Sequence, residues 1–374
     1  MSSSDEIIGH ANPHTVKKFE LIEKYVEAWA HILLLNQYCT GLVFIDCMSN
    51  SGEYVDDDGK QVFGTPVRVA KYLRQIAGQY FGKQIDLYFS DLSAAKTAHL
   101  ENLMPGETRN FHYHITTEDG NELAKRIGNS MINGRHYLLV YDPFQATIDW
   151  NALFPYINNW CEIIINHMVS DSMRAVKMVK KDAARNKYEQ TYLTELENLI
   201  PYGSDKTAYE KRIEEIIKAL RRKTSRQYYI AAFPFFNEKN AIVYDLIHCT
   251  SNLKGFQLYK KCAWQTFGGK SSTKNTHGLE NQLMLDFEGK GVAKTHTDEF
   301  CFYIKDIAEY LQKSFNGQSD VPMSDVWASL DNHPIFPSDG FRPQIKNELK
   351  QNHGASVGRS TISFVDRSCS DEEG

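Results

Sequence analysis

The feature that most constrains this chain is an alternation of short apolar runs with helical stretches, several of the runs ending in an acid. Leu42-Val43-Phe44-Ile45-Asp46 is such a run, closed by a Ser/Asn/Gly cluster, and reads as a buried strand entering a tight turn. The pattern then repeats: a helix over 65–80, a strand over 85–89, a helix over 93–103 with Ser93 as N-cap, a strand over 111–115, a helix over 119–131 and a strand over 137–141. Strands separated by helices of ten or more residues predict parallel βαβ units covered on both faces, hence a doubly wound α/β sheet. Before the first strand, Phe19, Ile22, Val26, Trp29 and Leu33 form one apolar stripe of a helix over 15–35. After the last, the pattern predicts a helix near 150–157, a strand over 162–166, and a closing antiparallel pair, 228–233 with 241–245, turning at Glu238-Lys239-Asn240.

At 374 residues the chain exceeds the length at which one hydrophobic core usually stops growing. The expected division is a Rossmann-like domain over 1–267, a linker over 268–297 rich in Gly, Ser, Thr, Lys and Asn, and a small C-terminal domain over 298–374. The first contains a helical insertion at about 174–224, with Tyr209, Ile213, Ile216, Ile217 and Leu220 on one face. The last contains three short helices, carried by Ile304–Phe315, Val326–Leu330 and Phe341–Leu349, and a strand over 360–365, a winged-helix-like pattern. Asp371-Glu372-Glu373-Gly374 reads as a frayed acidic tail.

Seven cysteines without a Cys-x-x-Cys pair support neither a disulfide framework nor a zinc or iron–sulfur site, and read as reduced, mostly buried thiols. The longest apolar run, near Ile32–Leu35, is far short of the roughly 20 residues of a membrane span, and the first residues lack a signal-peptide pattern, so a cytoplasmic protein is expected. The net charge of −5 gives no global attraction to nucleic acid, so any such binding needs a local patch. Residues 175–224 hold 12 Lys/Arg against 8 Asp/Glu and are the expected patch. Residues 298–374 hold 7 against 13, the wrong sign for gripping phosphates, so protein contact or homo-oligomerisation is expected there.

In a doubly wound sheet, ligands bind where strands end and the chain order reverses. The loop Asp46-Cys47-Met48-Ser49-Asn50-Ser51-Gly52 supplies an acid, hydroxyls and a glycine for close backbone approach, while the absence of Gly-x-Gly-x-x-Gly disfavours NAD. Asp91 is positioned either to bond ribose hydroxyls or to cap the following helix. Thr116-Thr117-Glu118-Asp119 offers an acid for an adenine amino group, with capping the stronger single role for Asp119. Asp142-Pro143-Phe144 suits a planar amine: a carboxylate takes the amino hydrogens and a ring stacks on the base, although a bland strand-end turn also fits.

Taken in order, His14-Thr15 and Lys18 before a helix with Trp29, Phe44-Ile45-Asp46 running into Gly52 and Tyr54, Gly64-Thr65-Pro66, Asp142-Pro143-Phe144, and Ile164-Ile165-Asn166 followed by Arg174 make the chain resemble the three-Cys-motif partner family over about residues 10–260. That family is in turn similar to the adenine-N6 methyltransferases of large-subunit ribosomal RNA. The resemblance implies a methyltransferase sheet, S-adenosylmethionine (SAM) as cofactor, a three-cysteine-motif partner protein, and a phage-defence or mobile-element setting. It further implies that His14, Thr15 and Lys18 line the pocket mouth, that Asp46, Ser49 and Gly52 hold methionine, that Asp91 meets ribose with Asp119 nearby, that Asp142, Pro143 and Phe144 form the reaction centre, and that Asn166 and Arg174 contact substrate. Two departures stand out: Asn50 replaces the first glycine of the family's cofactor turn, and Phe144-Gln145 replaces a Pro-Tyr pair. Asn tolerates positive φ, so the turn survives in principle. Two functions follow, a SAM-dependent methyltransferase of a nucleobase amine, or a degenerate binding subunit that recruits nucleic acid for its partner.

Overall fold

Alternation along each strand builds a sheet with two apolar faces. In the first long strand Leu42 and Phe44 enter one buried cluster while Val43 and Ile45 enter the other, as a side-chain period of two requires. The computed structural model describes residues 7–143, 147–157, 161–168, 182–192, 218, 221–222, 224, 227–275, 301–331 and 333–366. In chain order these hold β1 (Gly9–His10), α1 (Pro13–Leu35), β2 (Gly41–Asp46), β3 (Glu53–Val55), β4 (Gln61–Phe63), α2 (Thr65–Ala77) and β5 (Gln84–Asp91). Next come α3 (Ala94–Leu103), β6 (Phe111–Thr117), α4 (Gly120–Asn129), β7 (Arg135–Tyr141), α5 (Trp150–Ile157), β8 (Cys161–His167) and α6 (Asp182–Tyr192). The last described part runs through β9 (Tyr229–Phe236), β10 (Ile242–Thr250), α7 (Leu253–Thr266), α8 (Ile304–Ser314), β11 (Val321–Pro322), α9 (Met323–Asp331), α10 (Arg342–His353), β12 (Ser356–Val357) and β13 (Thr361–Ser363).

The main sheet has the order β6-β5-β2-β7-β8-β10-β9, parallel from β6 to β8, with β10 antiparallel to both β8 and β9. The chain leaves β2 outward through β5 to β6 and returns to β7 on the other side. The switch point therefore lies between β2 and β7, and this is the doubly wound α/β sheet that the alternation predicts. Helices α1, α2 and α7 pack on the face of Phe44 and Leu87, and α4 and α5 on the face of Ile45 and Leu139. The expected β9–β10 hairpin forms, with Asn240 at φ 54° in its turn. Ser93 caps α3 and Asp119 caps α4 through side-chain acceptors, as read from the sequence.

Three features differ from the sequence reading. Residues 253–266 form α7, a helix with no counterpart in that reading, capped by the Asn252 side chain and buried along Phe256, Tyr259, Cys262, Ala263 and Trp264. A small sheet, β1-β3-β4, leans over the β2 loop, and its strands of two or three residues are too short to leave a periodic trace. Residues 268–275, expected as part of an exposed linker, are instead tied down: Ser271 N–H donates to the Phe302 carbonyl at 3.0 Å, and Phe236 N–H to the Thr273 hydroxyl at 2.7 Å. Phe144, Gln145, Arg174, the Tyr209–Leu220 face, most of the basic 175–224 segment, residues 276–297 and the acidic tail lie outside the described residues.

The C-terminal elements run α8-β11-α9-α10-β12-β13, with an antiparallel sheet ordered β11-β13-β12. They dock on α7. Trp264 is wholly buried, its ring centroid 5.8 Å from Phe341 and 6.4 Å from Phe336, and its indole N–H donates to the Ile335 carbonyl at 2.9 Å. Lys260, also wholly buried, donates to the carbonyls of Leu330 at 2.8 Å and His333 at 2.9 Å. No helix among the described residues is long and apolar enough to cross a membrane. Trp264→Ala is expected to cost about 3–5 kcal/mol and to lower hydrogen-exchange protection in α8–α10 more than in β2, β5 and β7. A loss below about 1 kcal/mol in a denaturant titration would show that this contact does not hold the C-terminal elements.

Candidate functional site

Two cavities meet at the carboxyl ends of the central strands, with Met48 and Pro143 in the walls of both. The larger, about 720 Å³, is bounded by Asp91 after β5, by Glu118, Asp119 and Asn121 at the β6–α4 junction, and by Tyr141, Asp149 and Trp150 beyond β7. Helix α6 supplies Gln190 to its edge, held there as the Trp150 indole donates to the carbonyls of Gln190 and Thr191, both at 3.2 Å. The smaller, about 320 Å³, lies between α1 and the β2 loop and is lined by His14, Lys18, Asp46, Asp142, Asn166 and Tyr244, among others.

The centre of the smaller cavity is a clasped carboxylate. Asp142 Oδ2 accepts from Lys18 Nζ at 2.6 Å and Asp142 Oδ1 accepts from Asn166 Nδ2 at 2.5 Å. Lys18 is only 9% exposed, so this ion pair is strong by hydrogen bonding and also carries the cost of two partly desolvated charges. Asn166 Oδ1 is buried and has no partner among the described residues. Asp46, 4% exposed at the end of β2, is pushed up to about 7, first by burial and then by repulsion from Asp142. Burial, with the Asp142 and Asp46 charges behind it, raises the Tyr54 hydroxyl, so Tyr54 stays protonated. Burial and the Lys18 charge lower His14, which keeps its imidazole neutral near pH 7.

The β2 loop achieves its turn without the glycine that the resemblance would place at its centre. Asn50 sits at φ 54°, its side-chain oxygen accepting the Ser51 N–H at 2.9 Å. Gly52, at φ 74°, has Leu100 and Val67 where a Cβ would stand, 2.5 and 2.8 Å away, so here both conformation and space require glycine. At the opposite wall a Cβ on Gly120 would meet the Cys47 carbonyl at 2.2 Å. The N-terminus of α4 thus approaches the β2 loop backbone directly and forms the floor of the larger cavity.

Of the residues singled out from sequence, His14, Thr15, Lys18, Asp46, Ser49, Asp142, Pro143 and Asn166 converge on the smaller cavity, and Asp91 and Asp119 on the larger. Gly52 lines neither and shapes the loop from behind. Asp91 accepts from Ser93 N at 2.8 Å in a turn before α3, which Ser93 itself caps, while Asp119 accepts from Asn121 N at 2.7 Å, so capping and cavity lining coexist in the Asp119 carboxylate. Phe144 and Arg174 lie outside the described residues. Tyr244, Trp150, Asn121, Asp149 and Gln190 are lining residues that the sequence reading missed. Tyr244 falls in a predicted strand, where nothing local indicates that its ring approaches His14 at 5.8 Å and Lys18 Nζ at 5.4 Å. Among the described residues, no group of three or more His, Cys, Asp or Glu is arranged to hold a metal ion.

No protein-family model and no curated protein matches the chain. Among solved structures it is similar to protein LPL1258 of Legionella pneumophila, with 11% identity and a TM-score of 0.36 over 62% of this chain and 85% of that one. The methyltransferase domain of bacterial CtHen1 aligns at 9% identity and TM-score 0.30, covering 61% of this chain and 99% of its own. The cyclopropane synthase MmaA2 of Mycobacterium tuberculosis aligns at 7% and 0.26, over 68% and 72%. The strand order, not these distant likenesses, carries the fold assignment.

Asp46 makes the site pH-sensitive. Its folded value of about 7 lies above the ordinary 3.8, so the folded state holds a proton that the unfolded chain has released. This contribution to stability is full below pH 4 and is lost as pH rises through 7. Asp46→Asn, which is neutral throughout, should therefore gain on the wild type in melting temperature between pH 5 and pH 8, by about 2 °C or more. A pH-independent gap would show that Asp46 ionises normally in the folded protein.

Proposed function

We propose that the protein is a SAM-dependent methyltransferase acting on a nucleobase amine. The observation that carries this reading is the pair of adjoining cavities at the switch point, one acidic and large enough for a nucleoside, the other closing around the clasped carboxylate of Asp142. The donor set fits SAM. Asp91 is an acceptor for ribose hydroxyls; Glu118, Asp119 and Asn121 stand at the purine end; Asp46, Ser49 and the β2 loop backbone suit an amino-acid tail. The close Gly120–Cys47 backbone approach keeps the floor between them free of side chains.

SAM when bound supplies an electrophilic methyl group, and transfer to an amine is an in-line displacement that depends on alignment. The residues of this chain do the aligning. Lys18 and Asn166 fix both oxygens of Asp142, and an incoming amine donates to this fixed carboxylate. Asp142 then supports the positive charge that develops on nitrogen as the new bond forms. Pro143 fixes the backbone at the strand end, so the carboxylate does not swing away. Tyr54 and Tyr244, both held protonated by burial, exclude water from the same wall.

The second reading, a binding subunit that retains the fold without turnover, draws on the same clasp, because the Lys18 ion pair already occupies one Asp142 oxygen. The three-Cys-motif partner resemblance, the phage-defence or mobile-element setting, nucleic-acid binding by residues 175–224, the division of the chain at 268–297, and a winged-helix-like C-terminal unit serving protein contact belong to this proposal as well. Calorimetry with S-adenosylhomocysteine tests it: Asp91→Ala should weaken binding about tenfold or more through loss of charge-assisted bonds to ribose. No binding by the wild type sinks the methyltransferase reading. Transfer of labelled methyl groups to DNA or RNA, lost in Asp142→Ala while homocysteine-nucleoside binding persists, separates turnover from mere binding.

A further inference from the structure

A third cavity, about 560 Å³, opens beside the first turn of α1, walled by that turn, by residues 236–238 after β9, and by residues 266–275. Three lysines line it, Lys17, Lys270 and Lys274, against one lining acid, Glu238, and Lys17 is also paired with Glu20 at 2.7 Å. A concave surface with such an excess of one sign focuses its field on ligands of the other. Lys274 is only 7% exposed, its ammonium 5.7 Å from the centroid of Phe236. Lys270 Nζ donates to the Lys274 carbonyl at 2.6 Å, which holds a second cation on the same segment. Helix α1 has no acid in its first turn and no side-chain bond from its N-cap Asn12, so its positive end adds to the field.

The position of this cavity relative to the clasped carboxylate decides its use. Neighbouring residues on a helix point about 100° apart. Lys18 therefore turns to Asp142 while Lys17, paired with Glu20 at 2.7 Å, lines the third cavity, and His14 lines both of these cavities. We propose that this cavity is a phosphate subsite for a single-stranded nucleic acid, holding a backbone phosphate next to the nucleotide whose base reaches Asp142; this rests on the methyltransferase reading above. A nucleotide joins a planar amine to a phosphate through one sugar, which matches a cationic cavity sharing a wall residue with an amine-binding one. An acidic peptide matches the charge but not the adjoining planar group.

The test uses the full chain, wild type and Lys17→Gln/Lys270→Gln, with fluorescein-labelled single-stranded DNA and RNA of about 12 nucleotides. Neither substituted residue belongs to the site at Asp142, and circular dichroism confirms that the variant folds. The double variant should lose about tenfold in affinity at low salt, and the slope of log K against log salt should fall by about 1.4, roughly 0.7 for each cation removed. S-adenosylhomocysteine binding on the same samples should not change. Equal affinity and slope in the two proteins, or no oligonucleotide binding by the wild type, overturns the proposal. Polyglutamate that competes at equal charge concentration, with a parallel loss in the variant, also overturns it and assigns the cavity to an acidic protein segment. If the oligonucleotide result holds while the wild type fails to bind S-adenosylhomocysteine, the phosphate subsite stands and the methyltransferase reading falls.

Discussion

The contact between Lys18 and Asp142 joins groups 124 residues apart in sequence and answers a problem created by the sheet itself. Parallel strands in register end together, so acids after successive strands are brought to one edge: Asp46, Asp91 and Asp142 all gather at the switch point. Burial first, and then repulsion from Asp142, lifts Asp46 to about 7. A single ammonium from α1, at the carboxyl ends of these strands, offsets part of that repulsion and fixes one Asp142 oxygen while Asn166 fixes the other. The geometry of α1 follows from this role. It needs a rigid seat, and it has one on α7 and α2 through Tyr25, Val26, Trp29 and Ala30.

What was legible in the sequence follows the range of the physics involved. Central strands such as 42–46 and 137–141 are apolar on both faces and punctuated by polar turns, so they announce themselves locally. The acids after them mark the ligand edge for the same reason. Helix α7 escaped because its buried face includes Lys260, whose ammonium is satisfied only by carbonyls of Leu330 and His333, some seventy residues downstream. With a lysine in the middle of the stripe, periodicity gives no clean signal. Tyr244 and Gln190 escaped for a related reason: a side chain reaches the cavity only once β10 and α6 have been placed by the rest of the chain.

The β2 loop shows how a departure from an expected pattern can be absorbed. Positive φ costs an ordinary residue about 1 kcal/mol or more, and asparagine recovers part of that by hydrogen-bonding its own neighbourhood. Asn50 does so through its side-chain oxygen, which accepts the Ser51 N–H. Beyond the loop, the Tyr54 ring of β3 stands against Phe19, 5.1 Å away between centroids. The loop needs its two left-handed residues, Asn50 and Gly52, for different reasons, and only at Gly52 does the absence of a Cβ itself matter.

Charge is segregated across the site more sharply than the net value of −5 suggests. The larger cavity is lined by Asp91, Glu118, Asp119 and Asp149, while the α1 side carries Lys17, Lys18, Lys270 and Lys274. On the proposed reading this asymmetry orients both ligands before they make any directional contact. A cationic cofactor is favoured toward the acidic strand ends, and an anionic strand is repelled there and drawn to the lysines around α1. The two fields meet at Asp142, whose charge is offset by the clasped Lys18, so that is where a neutral amine enters at low electrostatic cost.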